Sequence, residues 1–461
     1  MHRRRHGNGI DRKNLLTVRN GIFMCKAFAQ VCYFTKPVFL KEKSNRRWKK
    51  VRRVFLLTLV LTVMVMMAIA AAPIKIGAVV PLGDITGDQA SKAMRLAVEE
   101  INAAGGVLGR PLELIVIDDE LKPEKGAAAI EKLANVDRVD FFVGGMSSGV
   151  HLAQIPIMKR YQKITIWIGA ASYLCENAVG ANADWYFHLH PWDYQQGESY
   201  GRGWSDIVAA YPEITTDRIF LAYEEGGFGT ASYESYIALQ KLAAQGEGTW
   251  AGILNDFRGE SFKSAALGGG DYRAMLQQAK AYDPDLFIWA GYDADALPIL
   301  QQAKEIGFAP KLFVGAPPGW PAHFGDSPLA EGVTLYGMWA PTLNKVSPVA
   351  EHFWNAYIER FNEEPATYFA PLGYTNIYFL VEGIKAAGTI EKTALIKALE
   401  TLEYESPIGE VLKISPSNVI KHQGFTAQKI LQWQNGEQQV LWPLELKTAE
   451  PEYPFPKWED R

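Results

Sequence analysis

From residue 74 onward, short apolar runs alternate with amphipathic stretches. Residues 74–80 read as a strand. Residues 88–104 read as a helix, because Ala93, Leu96, Ala97, Val98 and Ile101 recur at helical spacing. Gly105-Gly106 ends it. Strands follow at 112–117, 141–143 and 164–168, with helices at 125–133 and 150–160. After Pro191 the rhythm restarts, with strands at 218–223, 250–254, 285–290 and 312–315 and helices at 230–244, 272–281 and 294–306. Residues 349–399 are mainly helical, and 411–414 and 430–433 are strand-like. This order implies an α/β protein whose mostly parallel sheets are covered by helices on both faces. Two successive blocks of similar size imply two lobes.

Open parallel sheets bind ligands beyond the carboxyl ends of their strands. The stretches of interest are therefore 81–87, 144–149, 169–173, 224–229 and 291–295. Gly144-Gly145-Met146-Ser147-Ser148-Gly149 follows a strand and opens a helix, where backbone N–H groups and two hydroxyls suit an anion. A plain helix cap by Ser147 or Ser148 would use the same residues. Gly169-Ala170-Ala171-Ser172 lets a ligand approach the backbone, or is a tight turn of small residues. Gly226-Gly227-Phe228-Gly229 offers Phe228 as an apolar wall, or as a core ring. In Gly291-Tyr292-Asp293-Ala294-Asp295, Tyr292 is a candidate ligand contact and Asp295 a candidate partner for an ammonium group. The alternative is that Asp293 and Asp295 serve only the start of the following helix.

Gly145-x-Ser147-x-Gly149 also matches the nucleophile elbow of serine hydrolases, with Asp295 and His422 in the right chain order for acid and base. No His-Gly-Gly oxyanion segment accompanies it, and the motif falls after only the third strand. The eight His form no HExxH and no His/Cys cluster; His188 and His190 alternate on one strand face, which is too few ligands for a metal. No G-x-G-x-x-G or Walker A motif is present, so the sequence calls for no cofactor.

The N-terminus differs from the rest. Residues 1–53 hold 16 Lys+Arg and 2 Asp+Glu, whereas the remainder holds 31 and 49. An acidic body argues against nucleic acid as a partner. Arg46, Arg47, Lys49, Lys50, Arg52 and Arg53 precede an apolar run over 54–72 that closes on small residues before Pro73. This reads as a secretory signal cleaved near 70–72, with an uncleaved membrane anchor as the rival. Residues 1–45, basic and irregular, are expected to be a gene-model artefact upstream of the true start. Of the three Cys, only Cys175 follows the apolar run, which excludes a disulfide framework for the body.

Several segments together resemble the Leu/Ile/Val-binding protein family. They are residues 74–82, the run Leu96-Ala-Val-Glu-Glu-Ile-Asn-Ala-Ala-Gly-Gly-Val-Leu-Gly-Arg-Pro111, Val143-Gly-Gly-Met-Ser-Ser-Gly149, Gly169-Ala-Ala-Ser172, residues 286–307, and Tyr374-Thr-Asn-Ile-Tyr-Phe-Leu-Val-Glu-Gly-Ile-Lys-Ala-Ala-Gly388. The resemblance spans about 73–446, and its Glu-Glu-Ile-Asn-Ala-Ala-Gly-Gly segment is its most specific part. It implies the type I periplasmic-binding fold: two Rossmann-like lobes joined by three hinge crossings, near 191–192, 340–341 and 415–424. The lobes are then 73–191 plus 341–415 and 192–340 plus 425–446, with 1–72 as extension and signal and 447–461 as a tail.

The resemblance further implies a non-enzymatic, extracytoplasmic, monomeric binding protein of an ABC importer that delivers its solute to a membrane permease by closing its lobes. Ser148, Ala170, Ala171 and Ser172 would bind a carboxylate, Phe228 would cover the ligand, and Asp295 would pair with its ammonium. A branched-chain or other apolar amino acid is the first expectation; another small carboxylate, an aromatic acid or an amide or urea-like solute is the second. The chain departs from the family pattern at a short 81–87 loop with Thr86 where an aromatic is usual, at Phe228 in place of tyrosine, and at Asp295 in place of glutamate. Each departure alters which polar atoms meet a ligand in a dry cleft, and so bears on specificity.

Overall fold

The computed structural model describes residues 72–316, 319–320 and 323–460. The basic extension, the signal and the start-site reading fall on residues 1–71 and lie outside the described residues.

The first lobe is built on a sheet of β1 (Ile74–Val80), β2 (Leu112–Asp118), β3 (Phe141–Gly144), β4 (Thr165–Trp167) and β5 (Tyr186–His188). Their order is β2-β1-β3-β4-β5, all parallel. Helices α1 (Ile85–Ala103), α2 (Pro123–Asn135), α3 (Ser148–Tyr161) and α4 (Tyr173–Val179) connect them. Side chains alternate across the sheet. Ile74, Ile76 and Ala78 join the cluster containing Met94 of α1, while Val79 and Phe142 join the one containing Ile130 of α2.

After β5 the chain enters the second lobe through α5 (Asp193–Ala210), which packs on α6 (Gly227–Ala243). The second sheet holds β6 (Arg218–Glu224), β7 (Asp256–Phe262), β8 (Leu286–Ala290), β9 (Leu312–Gly315) and β10 (Thr334–Gly337), with α7 (Arg273–Tyr282) and α8 (Ala296–Glu305) between strands. The chain then returns to the first lobe as α9 (Pro348–Phe361), α10 (Phe369–Ala387) and α11 (Lys392–Thr401), α10 lying along α1. A two-strand ribbon follows, β11 (Tyr404–Glu405) with β12 (Val411–Leu412). A last crossing leads to β13 (Lys429–Gln434) and β14 (Glu437–Trp442), which complete the second sheet antiparallel in the order β14-β13-β10-β9-β8-β6-β7. The first and last crossings run side by side: His188 N–H donates to His422 O (2.9 Å) and Gly424 N–H to His188 O (2.8 Å).

In each sheet one strand pair straddles a reversal of strand order, β1/β3 in the first and β6/β8 in the second. Ligand crevices of doubly wound sheets form beyond such points.

Two expectations need correction. Residues 250–254 form turns, not a strand; the strand is β7. Gly248 and Gly252 hold φ of +75° and +80°, and the buried Trp250 indole donates to Gly197 O (2.8 Å), so the apolar run is a plug beneath α5. β7 is an edge strand with alternating exposure, and its polar residues hide it from an apolar-run criterion. Of the strand-like stretch 411–414, only Val411–Leu412 pairs. The C-terminal residues dock on the second lobe, where Phe455 and Trp458 pack around Phe313.

Candidate functional site

The loops beyond β3, β4, β6 and β8 meet in one cavity between the lobes, with an empty volume of about 450 Å³. From the first lobe come Ser147, Ser148, Ala170 and Ala171; from the second, Phe228, Tyr292, Ala316 and Tyr336. Tyr292, Phe228, Tyr336, Tyr368 and Phe369 make its wall largely aromatic. No Asp, Glu, Lys or Arg lines it among the described residues.

The first-lobe end is shaped by backbone needs. Gly144 and Gly145 have φ of +101° and +85°, and a Cβ on Gly145 would fall 1.8 Å from the Trp167 ring. Only glycine fits there. The turn delivers the start of α3 to the cavity with Ser147 at the N-cap, yet no side chain caps it. Ser147 Oγ instead lies 3.3 Å from Tyr292 OH of the opposite lobe. Ser148 Oγ accepts from Ser172 N–H (3.2 Å), which leaves its own O–H to donate. Ala170 is held at φ +64°, its N–H donating to Met146 O (2.7 Å), a conformation unusual for a residue with a Cβ. Open N–H groups, a helix dipole and a hydroxyl whose only other acceptor is the Cys175 sulfur together suit a carboxylate.

The second lobe presents a helix start to the same cleft, that of α6. A Cβ on Gly227 would lie 3.7 Å from Gly149 N. This start is already occupied. The Glu224 carboxylate accepts from the N–H groups of Gly226, Phe228 (3.1 Å) and Gly229 (2.9 Å).

Asp295 is likewise engaged. It is fully buried and accepts from Ser264 Oγ, Ala265 N–H (2.7 Å), Tyr272 OH (2.5 Å) and Tyr292 N–H (2.7 Å). It stands behind the wall, fixing Tyr292, and is not part of the lining. Ser172 also lies outside the lining, capping α4 through Leu174 N–H (3.2 Å). The cavity thus gathers Ser148, Ala170, Ala171, Phe228 and Tyr292 of the residues expected from sequence, and leaves Ser172 and Asp295 in support.

Other carboxyls stand close by. Asp84 of the first lobe caps α1 through Thr86 and faces Asp293 of the second. Burial and then the Asp84 charge push Asp293 up to about 7. Behind Phe228 a recess of about 320 Å³ runs into the second lobe past Leu221, Ile288 and Asp193. The Asp193 carboxylate accepts from the N–H groups of Tyr173 (3.1 Å) and Tyr194 (2.7 Å), and burial pushes it up to about 7.

Residues 73–438 match the family model described as periplasmic binding protein. The chain belongs to the periplasmic binding protein family. Relatives of this periplasmic binding protein include Leu/Ile/Val-binding protein homolog 7 of Brucella abortus, 22% identical over 395 residues, covering 81% of this chain and 92% of the relative. A branched-chain amino acid transporter substrate-binding protein of Streptococcus pneumoniae, solved with isoleucine, superposes with a TM-score of 0.64 at 22% identity, covering 83% of this chain and 100% of that one. A solute-binding protein of an ABC transporter from R. palustris, solved with benzoate, gives 0.63 at 19% identity, covering 80% and 95%. These likenesses show the two-lobed fold.

In this binding protein the hydrolase constellation does not assemble. Ser147 Oγ meets Tyr292; His422 bonds to Glu400 (2.9 Å) and stacks on Phe187 at 4.2 Å; Asp295 is in its own nest. A nucleophile without a base in reach is not activated. Sequence reading missed His190, Gln196, Tyr336, Tyr368 and Gln428, all in the lining. They come from the crossings, α5, β10 and the approach to α10, not from the loops first examined. Ala316 does follow a recognised strand and was within reach of the same rule.

Proposed function

We propose that this chain is the extracytoplasmic solute-binding component of an ABC importer, and that its cleft takes a small carboxylate with an aromatic or apolar body and no ammonium group. One observation carries the ligand class: the lining combines an uncapped helix start and Ser148 with aromatic rings and, among the described residues, no acidic side chain. A buried ammonium without a counter-charge is costly, whereas a carboxylate finds donors at α3. Asp295 is the acid expected from sequence to meet an ammonium, and its oxygens are taken by the second lobe. Of the two solute classes expected from sequence, the aromatic or simple carboxylate is therefore preferred over the amino acid.

In this reading Ser148 and the Ala171 N–H hold the head group, and Phe228 and Tyr292 close on the body. Lobes of 73–191 plus 341–415 and 192–340 plus 425–446 close about crossings near 191–192, 340–341 and 415–424. The ligand acts by preferring the closed form, which docks on the permease. A secretory signal before residue 73 would deliver the protein to that permease. Binding that favours the folded state raises the melting temperature. Aromatic and branched aliphatic carboxylates should raise it, and free amino acids should raise it less. A rise with amino acids alone would overturn the ligand class.

A further inference from the structure

The cavity has a polar wall away from α3, on the crossing segments, and its hydrogen bonds do not balance. Pro191 O fixes the orientation of two groups there. It accepts from Gln196 Nε2 (2.8 Å), so Gln196 turns its carbonyl oxygen the other way. It also lies 3.0 Å from His190 Nδ1. A carbonyl only accepts, so His190 carries its proton on Nδ1 and offers Nε2 as an acceptor. Burial keeps that ring neutral, with its pKa down to about 3. Gln428 places its amide nitrogen 3.4 Å from His190 Nε2 and thereby turns its oxygen away as well.

Both glutamine oxygens face the same hydroxyl. Tyr200 OH contacts Gln428 Oε1 by the shorter bond and Gln196 Oε1 at 3.0 Å. A phenol has one proton, so one carbonyl oxygen lacks a donor, and the longer bond marks it as Gln196 Oε1. No such shortage holds at His190 Nε2. Tyr368 OH donates to its single lone pair (3.3 Å) and itself accepts from the Gln428 amide, so that donor is used. His190, Gln196, Tyr368 and Gln428 all line the cavity, and all are buried. The wall therefore offers a ligand one unmet acceptor, Gln196 Oε1. A ligand hydroxyl can donate to it. An unmet buried acceptor in a site built this way penalises a solute that lacks the matching group.

We infer that the cleft distinguishes hydroxylated aromatic carboxylates from their unsubstituted parents, reading the ring hydroxyl through Gln196 Oε1. The inference rests on the carboxylate reading of the α3 end.

Calorimetric titration of the full-length chain with benzoate and each of the three monohydroxybenzoates tests it. At least one isomer should bind tenfold or more tighter than benzoate. In Gln196→Met that ratio should fall to within threefold. Benzoate binding with all four acids within threefold of one another would overturn the hydroxyl inference and leave the carboxylate reading standing. A ratio that survives Gln196→Met would overturn the assignment to that oxygen. Failure of all four acids to bind, with a branched-chain amino acid bound instead, would overturn both readings. The series on the unaltered chain decides the main question whether or not the variant folds.

Discussion

Two helix starts meet across the cleft, and they differ in one respect. That of α6 has its N–H groups filled by Glu224 of the preceding strand, whereas that of α3 has no side chain in the same role. The same contrast separates Ser148, whose O–H has only the weakly accepting Cys175 sulfur beside it, from Asp295, whose oxygens are taken by four residues of its own lobe. The first lobe therefore leaves its helix start and a hydroxyl for a solute, while the second fills its own helix start and, Gln196 apart, offers rings. A ligand held this way gives its head group to the first lobe and its body to the second.

The comparison breaks most severely at Asp295. Asp295→Ala strands buried donors on Ser264, Ala265, Tyr272 and Tyr292 and should cost about 3–5 kcal/mol of folding stability in denaturant titration. An unchanged midpoint would remove the structural role given to it. Next comes Glu224→Ala, which uncaps α6 and should cost about 2 kcal/mol. That variant sharpens the contrast, because it makes the two helix starts alike. Ser148→Ala should weaken carboxylate binding by about 1.5 kcal/mol, roughly tenfold, through loss of one hydrogen bond to a charged group. The same change at Ser232 of α6, whose hydroxyl is given to Phe228 O, should leave affinity within about twofold.

The smallest effect concerns pH. Asp293 sits near 7 in the closed form because of burial and Asp84, with Asp295 adding to the push. With the lobes apart it returns toward about 4. The closed form then holds a proton that the open form releases between those values. Closure is favoured most at about pH 4, weakens as pH rises to about 7, and is level above it. Affinity for a carboxylate that stays ionised should fall from pH 5 to pH 8. Asp293→Asn should flatten the change, which separates it from the titration of Asp193. Equal slopes in both proteins would show that the facing pair does not bear on closure.

The buried strands were legible because they are apolar on both faces. Residues 285–290 could hardly be anything else, and β8 is buried throughout. β7 was misplaced because an edge strand needs no apolar run, and Trp250 supplied one nearby for another purpose. The site divided in the same way. Ser148, Ala170, Ala171, Phe228 and Tyr292 were legible as loop residues just beyond strands. His190, Gln196, Tyr368 and Gln428 were not, since only the crossings bring such distant segments to one wall. Asp295 had the right place in sequence, but its partners at Ser264, Ala265 and Tyr272 turn it inward, and nothing in its local pattern announces them.

The most direct measurement is calorimetric titration with leucine and with 4-methylpentanoate, which share the same branched body and carboxylate and differ in the ammonium group. If the second lobe offers no acid to the cleft, 4-methylpentanoate should bind at least tenfold more tightly. Tighter binding of leucine would show that the cleft does supply a counter-charge, and the division of labour between the lobes would be wrong.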